Sequence, residues 1–139
     1  MNQPLHPQNE LTKNQSLVMG ALKNADGPLS AYTILDRLRD DGFRAPLQVY
    51  RALEKLIDLG MVHKLESLNS FVACSHSDCS SHAVVVFGIC ENCETVSEFD
   101  QNELVTELHA MAKTQAFIMK RSVVEMRGLC RNCSSARAN

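Results

Sequence analysis

Two matching cysteine couples, Cys90-Glu-Asn-Cys93 and Cys130-Arg-Asn-Cys133, constrain this chain more than any other feature. A spacing of two residues lets both thiolates of a couple turn back onto one ion. Two couples then supply the four sulfurs of a closed, tetrahedral, structural zinc site. Thirty-six residues lie between them. That is room for a strand, a helix and a returning strand, so the ion pins the end of a small domain. Redox-active couples or a disulfide pair are the competing explanations. A redox couple normally occurs once, beside a βαβ pattern, with no twin near the end of the chain. The expectation is therefore a structural zinc at Cys90, Cys93, Cys130 and Cys133.

The 139 residues fit one domain or two small ones. Two modules of about 65–70 residues are each marginal without a staple. A structural zinc is such a staple, with apparent binding free energies of roughly 10–16 kcal/mol in zinc-finger peptides. The sequence shows no signal peptide, long apolar run or Arg-rich transit segment, which makes a cytoplasmic location and no membrane partner the expectation. In a reducing compartment, six cysteines favour metal over disulfides.

Net charge is −2, which alone argues weakly against nucleic acid. Its distribution matters more. Residues 1–73 carry eight Lys/Arg and eight Asp/Glu, and six of those basic residues fall between Arg37 and Lys64. A local basic face is compatible with phosphate contact.

Residues 1–11 carry two prolines and little periodicity, and are expected to form a loose tail. Thr12-Lys13-Asn14-Gln15 has the form of a capping box. Val18, Ala21, Leu22 and Ala25 follow at helical spacing, and Asp26-Gly27-Pro28 ends the element. A second helix starts at Ser30 and carries Ala31, Ile34, Leu35 and Leu38 on one stripe. A third runs from Pro46 to Gly60, with Val49, Leu53, Leu56 and Ile57 inward. Strands Met61–Glu66 and Ser70–Cys74 complete a winged-helix arrangement, in which the third helix enters the major groove. After Cys74 the pattern changes. Ser75–Ser81 is loop-like, Val84–Ile89 and Thr95–Phe99 read as strands, and Asp100 with Glu103 can cap a helix. That helix carries Leu104, Leu108, Met111 and Ala112. Phe117–Met126 reads as a further strand, and Ser134–Asn139 as a frayed end. The expected fold is α+β, with a winged helix-turn-helix in residues 1–74 and a small α/β module in residues 75–139. So small and apolar a module needs a partner surface.

The outward face of the third helix shows Leu47, Tyr50, Arg51, Glu54, Lys55 and Asp58. Tyr50 and Arg51 suit base edges, since Arg grips guanine in bidentate fashion and an aromatic edge packs against a thymine methyl. Arg44 and Lys64 are better placed for phosphates, and Lys55 is a further candidate for DNA contact. A plain solvated helix face is the alternative, and the helix-helix-helix-hairpin context favours DNA.

A second constellation remains once the four cysteines are assigned. His63, Cys74, His82 and Glu98 offer one sulfur, two imidazoles and one carboxylate, drawn from both sides of the wing–module junction. The sulfur shifts the preference towards zinc or another thiophilic ion and away from magnesium or manganese. Taken singly, each has a simpler reading, a strand-edge polar residue or a solvent-facing one. Cys79 and His76 lie in the same loop and could compete for the ion, with Cys79 otherwise a spare thiol.

The stretch Gln48-Val49-Tyr50-Arg51-Ala52-Leu53, the run Gly60-Met61-Val62-His63-Lys64 and the paired couples resemble the ferric uptake regulator family of metal-dependent repressors. Residues 62–67, then Asn69-Ser70-Phe71-Val72 and Cys74, are similar to its zinc uptake regulator branch. The resemblance covers roughly Leu11 to Cys133. It implies a zinc-responsive repressor that binds double-stranded operator DNA as a homodimer, dimerised through the C-terminal module, and represses zinc-uptake genes. It implies two Zn2+ per subunit, a structural ion on the four couple cysteines and a regulatory one on His63, Cys74, His82 and Glu98. Tyr50 and Arg51 match its base-reading pair. The family usually has Thr where this chain has Gln48, many members carry a further N-terminal helix, and the His-rich cluster of many members is reduced to Ser80-Ser81-His82. Asp36 and Arg39 are either a solvated pair or a bridge between two dimers on one operator.

Rival functions keep the fold and change the signal to iron, manganese, nickel or peroxide, or make the chain a thiol-based redox switch. A zinc deaminase wants His-x-Glu and Pro-Cys-x-x-Cys. His82-Ala83-Val84 lacks the glutamate and Ile89 precedes Cys90, so no enzyme activity and no small-molecule substrate are expected.

Overall fold

The computed structural model describes residues 11–74, 84–99 and 102–137. The chain divides into two compact units, Met1–Ser80 and Ser81–Asn139. The expected N-terminal tail, the loop Ser75–Ser81 and the Asp100 cap lie outside the described residues, save Leu11.

In the first unit, helix α1 (Lys13–Lys23) starts at the expected capping box. Thr12 Oγ1 accepts the Gln15 N–H at 3.2 Å, and Gln15 Oε1 accepts the Thr12 N–H at 3.0 Å. Helix α2 (Ala31–Arg37) starts where Ser30 Oγ accepts the Thr33 N–H at 3.2 Å. Each cap satisfies a donor that the helix cannot, which is worth about 1 kcal/mol. Helix α3 (Pro46–Asp58) opens on proline and turns Val49, Ala52, Leu53 and Leu56 inward. It ends at Gly60, whose φ is 75°. There the Met61 N–H reaches Leu56 O at 2.9 Å and the Gly60 N–H reaches Ile57 O at 2.9 Å, a Schellman motif.

A hairpin follows, with β1 (Val62–Leu65) antiparallel to β2 (Ser70–Ala73) and His63 opposite Val72. A 3-10 turn at Glu66–Leu68 and a left-handed Asn69 connect them. Leu29 and Phe71 exchange backbone hydrogen bonds of 3.0 and 2.8 Å, which stitches the α1–α2 connection to the hairpin. Val18, Ile34, Val49, Leu56 and Val62 are wholly buried in this unit's core. Burial of side chains of this size is worth about 1.5–3 kcal/mol each.

The second unit is built on a three-stranded sheet of order β4-β3-β5. Strand β3 (Val84–Cys90) is central, antiparallel to β4 (Val96–Phe99) and parallel to β5 (Ser122–Gly128). Every β3 residue except Gly88 is buried, the pattern of a strand covered on both faces. Helix α4 (Asn102–Thr114) supplies the long connection between β4 and β5.

Two boundaries differ from the expectations by more than a residue or two. The last strand starts at Ser122, not Phe117. Helix α4 closes with a left-handed Ala116, and the Phe117 N–H is spent on Ala112 O at 2.9 Å. Phe117 and Ile118 are 67% and 84% exposed, so their apolar character marks open surface and not strand. The end of the chain is helical over Arg131–Arg137, here α5, because the Cys130 carbonyl accepts the Ser134 N–H at 2.8 Å.

Candidate metal centre and nucleic-acid interface

Parallel pairing of β3 with β5 sets Cys90 opposite Gly128. Both strands therefore end on the same side of the sheet, and one cysteine couple follows each. The first couple occupies the turn from β3 to β4. Glu94 donates its N–H to Cys90 O at 2.9 Å, Cys90 donates to Thr95 O at 3.0 Å, and Glu94 takes a φ of 63°. The second couple straddles the start of α5. The Glu91 N–H reaches across to Gly128 O at 2.8 Å and ties one turn to the other.

The four sulfurs all lie within 4.8 Å of one another, and Cys93 Sγ is 3.7 Å from Cys130 Sγ. Sulfurs about 2.3 Å from a tetrahedral zinc stand about 3.8 Å apart, so the donor set and its spacing fit that ion. Cys90 is buried, Cys130 and Cys133 are half-buried, and Cys93 is exposed. Asn92 Nδ2 donates to Cys133 Sγ at 3.2 Å, and Thr95 Oγ1 lies 3.0 Å from Cys93 Sγ. Neither contact was anticipated from the sequence, although an asparagine stands third in both couples.

The thiols are electrostatically unequal. Backbone N–H groups of Cys93, then of Cys130, aimed at Cys90 outweigh its burial and lower its pKa to about 6. The Thr95 hydroxyl is the main cause of a lowered value at Cys93. At Cys133 the Asn92 amide pulls the pKa down, but the Cys130 thiol, burial and the other two sulfurs together push it up to about 11. Cys90 therefore gives up its proton more readily than Cys133.

His63, on β1, is buried, and Cys74 directly follows β2, with its N–H on Met61 O at 2.9 Å. One potential ligand atom of each lies within 4.8 Å of the other. Cys74 is disulfide-bonded here, so ligation by it requires the reduced thiolate. Glu98 belongs to the second unit, on β4 opposite Phe87. His82, His76 and Cys79 lie outside the described residues.

Helix α3 presents Leu47, Tyr50, Arg51, Glu54 and Lys55 outward, with Arg44 exposed just before it. Leu47 is 57% exposed and Tyr50 37%, which leaves apolar surface at the helix's leading end, where Arg51 is exposed as well. Gln48, where the resemblance leads one to expect Thr, folds back. Its Oε1 accepts the N–H groups of Arg44 at 2.7 Å and Ala45 at 3.0 Å, which fixes the entry to the helix. Lys64, on the hairpin, is paired with Glu66 at 3.5 Å. Asp36 and Arg39 form an exposed pair at 3.0 Å within one chain. Among the described residues, no helix is long and apolar enough to cross a membrane.

Residues 8–127 match the model of the ferric uptake regulator family. The zinc uptake regulation protein of Escherichia coli (strain K12) is 37% identical over 129 residues, covering 92% of this chain and 75% of the relative. Among solved structures, a zinc uptake regulator complexed with zinc and DNA superposes with a TM-score of 0.85 at 34% identity, over 96% of this chain and 89% of that one. The holo form of XcZur gives 0.80 at 38% identity, over 91% and 87%.

Proposed function

The chain belongs to the ferric uptake regulator family, and from that premise we propose that it is a zinc-responsive transcriptional repressor. It binds double-stranded operator DNA as a zinc-loaded homodimer in the cytoplasm and represses zinc-uptake genes. The observation that carries this reading is its likeness to zinc uptake regulators, at 34–38% identity over more than nine-tenths of its length.

Each residue then has a part. Arg51 and Tyr50 read base edges from the exposed face of α3, while Arg44, Lys55 and Lys64 hold phosphates. Cys90, Cys93, Cys130 and Cys133 hold one structural zinc per subunit, which fastens the ends of β3 and β5. His63, Cys74, His82 and Glu98 hold one regulatory zinc per subunit. Zinc at that set supplies a four-coordinate tie among residues distant in sequence. Two neutral imidazoles, a thiolate and a carboxylate cancel the charge of the ion locally, so its lever on DNA is geometric. Coupling of this kind is typically worth about 1–3 kcal/mol per effector.

The test is anisotropy of a labelled duplex, enriched from a random-sequence pool by the wild-type protein, titrated at buffered free zinc. Affinity is expected to rise by about 5–150-fold as zinc rises, the range of ordinary allosteric coupling. His63→Ala should keep one tightly held zinc per chain and lose that response. Zinc-independent binding by the wild type would overturn the proposal, and an unchanged response in His63→Ala would overturn the site assignment.

A further inference from the structure

The couples carry more chemistry than their sulfurs. A divalent ion held by four thiolates leaves a formal charge of −2, concentrated on the sulfurs. Such charge invites attack by protons, competing ligands and oxidants, and donors to sulfur spread it. Two non-ligating side chains are in place to do so. Asn92, inside the first couple, crosses to Cys133 of the second, with Nδ2 at 3.2 Å from the sulfur. Thr95, just past the first couple, sets its hydroxyl 3.0 Å from Cys93 Sγ. A thiolate has no proton to give, so once Cys93 ligates, Thr95 is necessarily the donor.

Both contacts fall where an ion is easiest to lose. Cys93 is the exposed member of the set, and Cys133 sits on the short helix α5. Asn92 also joins one couple to the other by a side chain, whereas the Glu91–Gly128 bond joins them by backbone at 2.8 Å. Thr95 is held from behind, since its carbonyl accepts the Cys90 N–H at 3.0 Å. Its hydroxyl therefore reaches Cys93 from a fixed strand end.

We propose that Asn92 and Thr95 are positioning residues of the cysteine site, whose hydrogen bonds to Cys133 and Cys93 hold the thiolates in ligating arrangement and slow escape of the ion. This rests on the reading of the four cysteines as a zinc site. Outer contacts to metal ligands are typically worth 10–100-fold in affinity.

The experiment uses the full chain loaded with zinc and follows transfer of the ion to a chromophoric chelator. A parallel series loaded with cobalt reports the sulfur-to-metal charge-transfer band. Asn92→Ala and Thr95→Val should each release zinc about 10-fold faster than wild type, with a shifted cobalt band. Thr95→Ser, which keeps the hydroxyl, should release at the wild-type rate, as should Asn132→Ala at the matching place in the second couple. Thr95→Val is nearly isosteric and carries the test if Asn92→Ala does not fold. Wild-type release rates and an unshifted band in both variants, with the ion present, would overturn the proposal alone. A wild-type chain with no cysteine-bound zinc would overturn the zinc reading on which it rests.

Discussion

Gly60 and Ala116 hold the same place in the same helix-ending motif, one closing α3 and the other α4. Both are left-handed, at φ 75° and 51°, and in both the next residue donates back over a full turn. Glycine adopts this conformation freely, whereas a Cβ there costs roughly 1–2 kcal/mol. Ala116→Gly should therefore stabilise the second unit by about 1 kcal/mol, and Gly60→Ala should cost the first unit about as much. Urea unfolding with saturating zinc measures both. Equal effects of either sign would contradict the shared motif.

Glu94, in the first cysteine turn, is left-handed as well, at φ 63°. Glu94→Gly should slow zinc loss and raise the melting temperature, since the turn would no longer carry a strained residue. Zinc-release kinetics with a chelator would show it.

The hairpin lysine is held by its neighbour. Because Lys64 pairs with Glu66 at 3.5 Å, Glu66→Gln should strengthen binding to any DNA sequence and steepen its salt dependence. Arg51→Ala should instead cost about 1–3 kcal/mol on the preferred sequence and little on random duplex. Anisotropy titrations on both duplexes at two salt concentrations separate the cases.

Zinc uptake by the metal-free protein should release protons. Cys90, with a pKa lowered to about 6, is mostly thiolate at pH 7 and contributes little. Cys133, raised to about 11, is still a thiol and must give up its proton to ligate. Apparent zinc affinity should thus rise with pH between 6 and 8, and fall more steeply below 6 as Cys90 also protonates. Competition titrations across that range, with pH-indicator readout of released protons, test the sign.

Much of this was legible in the sequence, wherever local chemistry decides alone. Thr12 with Gln15 and Ser30 with Thr33 announce helix starts because a side-chain oxygen two or three residues ahead is all a cap requires. The cysteine couples announce a shared site because their spacing leaves little else to do, and the four sulfurs do converge. The apolar pair Phe117-Ile118 misled, because a helix can end left-handed at an alanine with no glycine to signal it. Helix α5 was missed because its start depends on the Cys130 carbonyl, a backbone acceptor with no sequence signature. Asn92, Thr95 and Gln48 acquire partners only when turns bring distant or folded-back groups within reach, as in the 41-residue separation of Asn92 and Cys133.

The parallel pairing of β3 with β5 has a kinetic side. Parallel strands joined by a long crossover must find each other across the chain, a slow and entropically costly encounter. An ion gripping both couples closes a loop of 41 residues, from Cys90 to Cys130, at the point where the strands must meet. By analogy with a disulfide, that closure is worth about 4 kcal/mol. On this reading, metal supply acts on the protein twice over. A zinc-starved cell would withhold the ligand from a finished repressor, and would also slow the folding of each new copy.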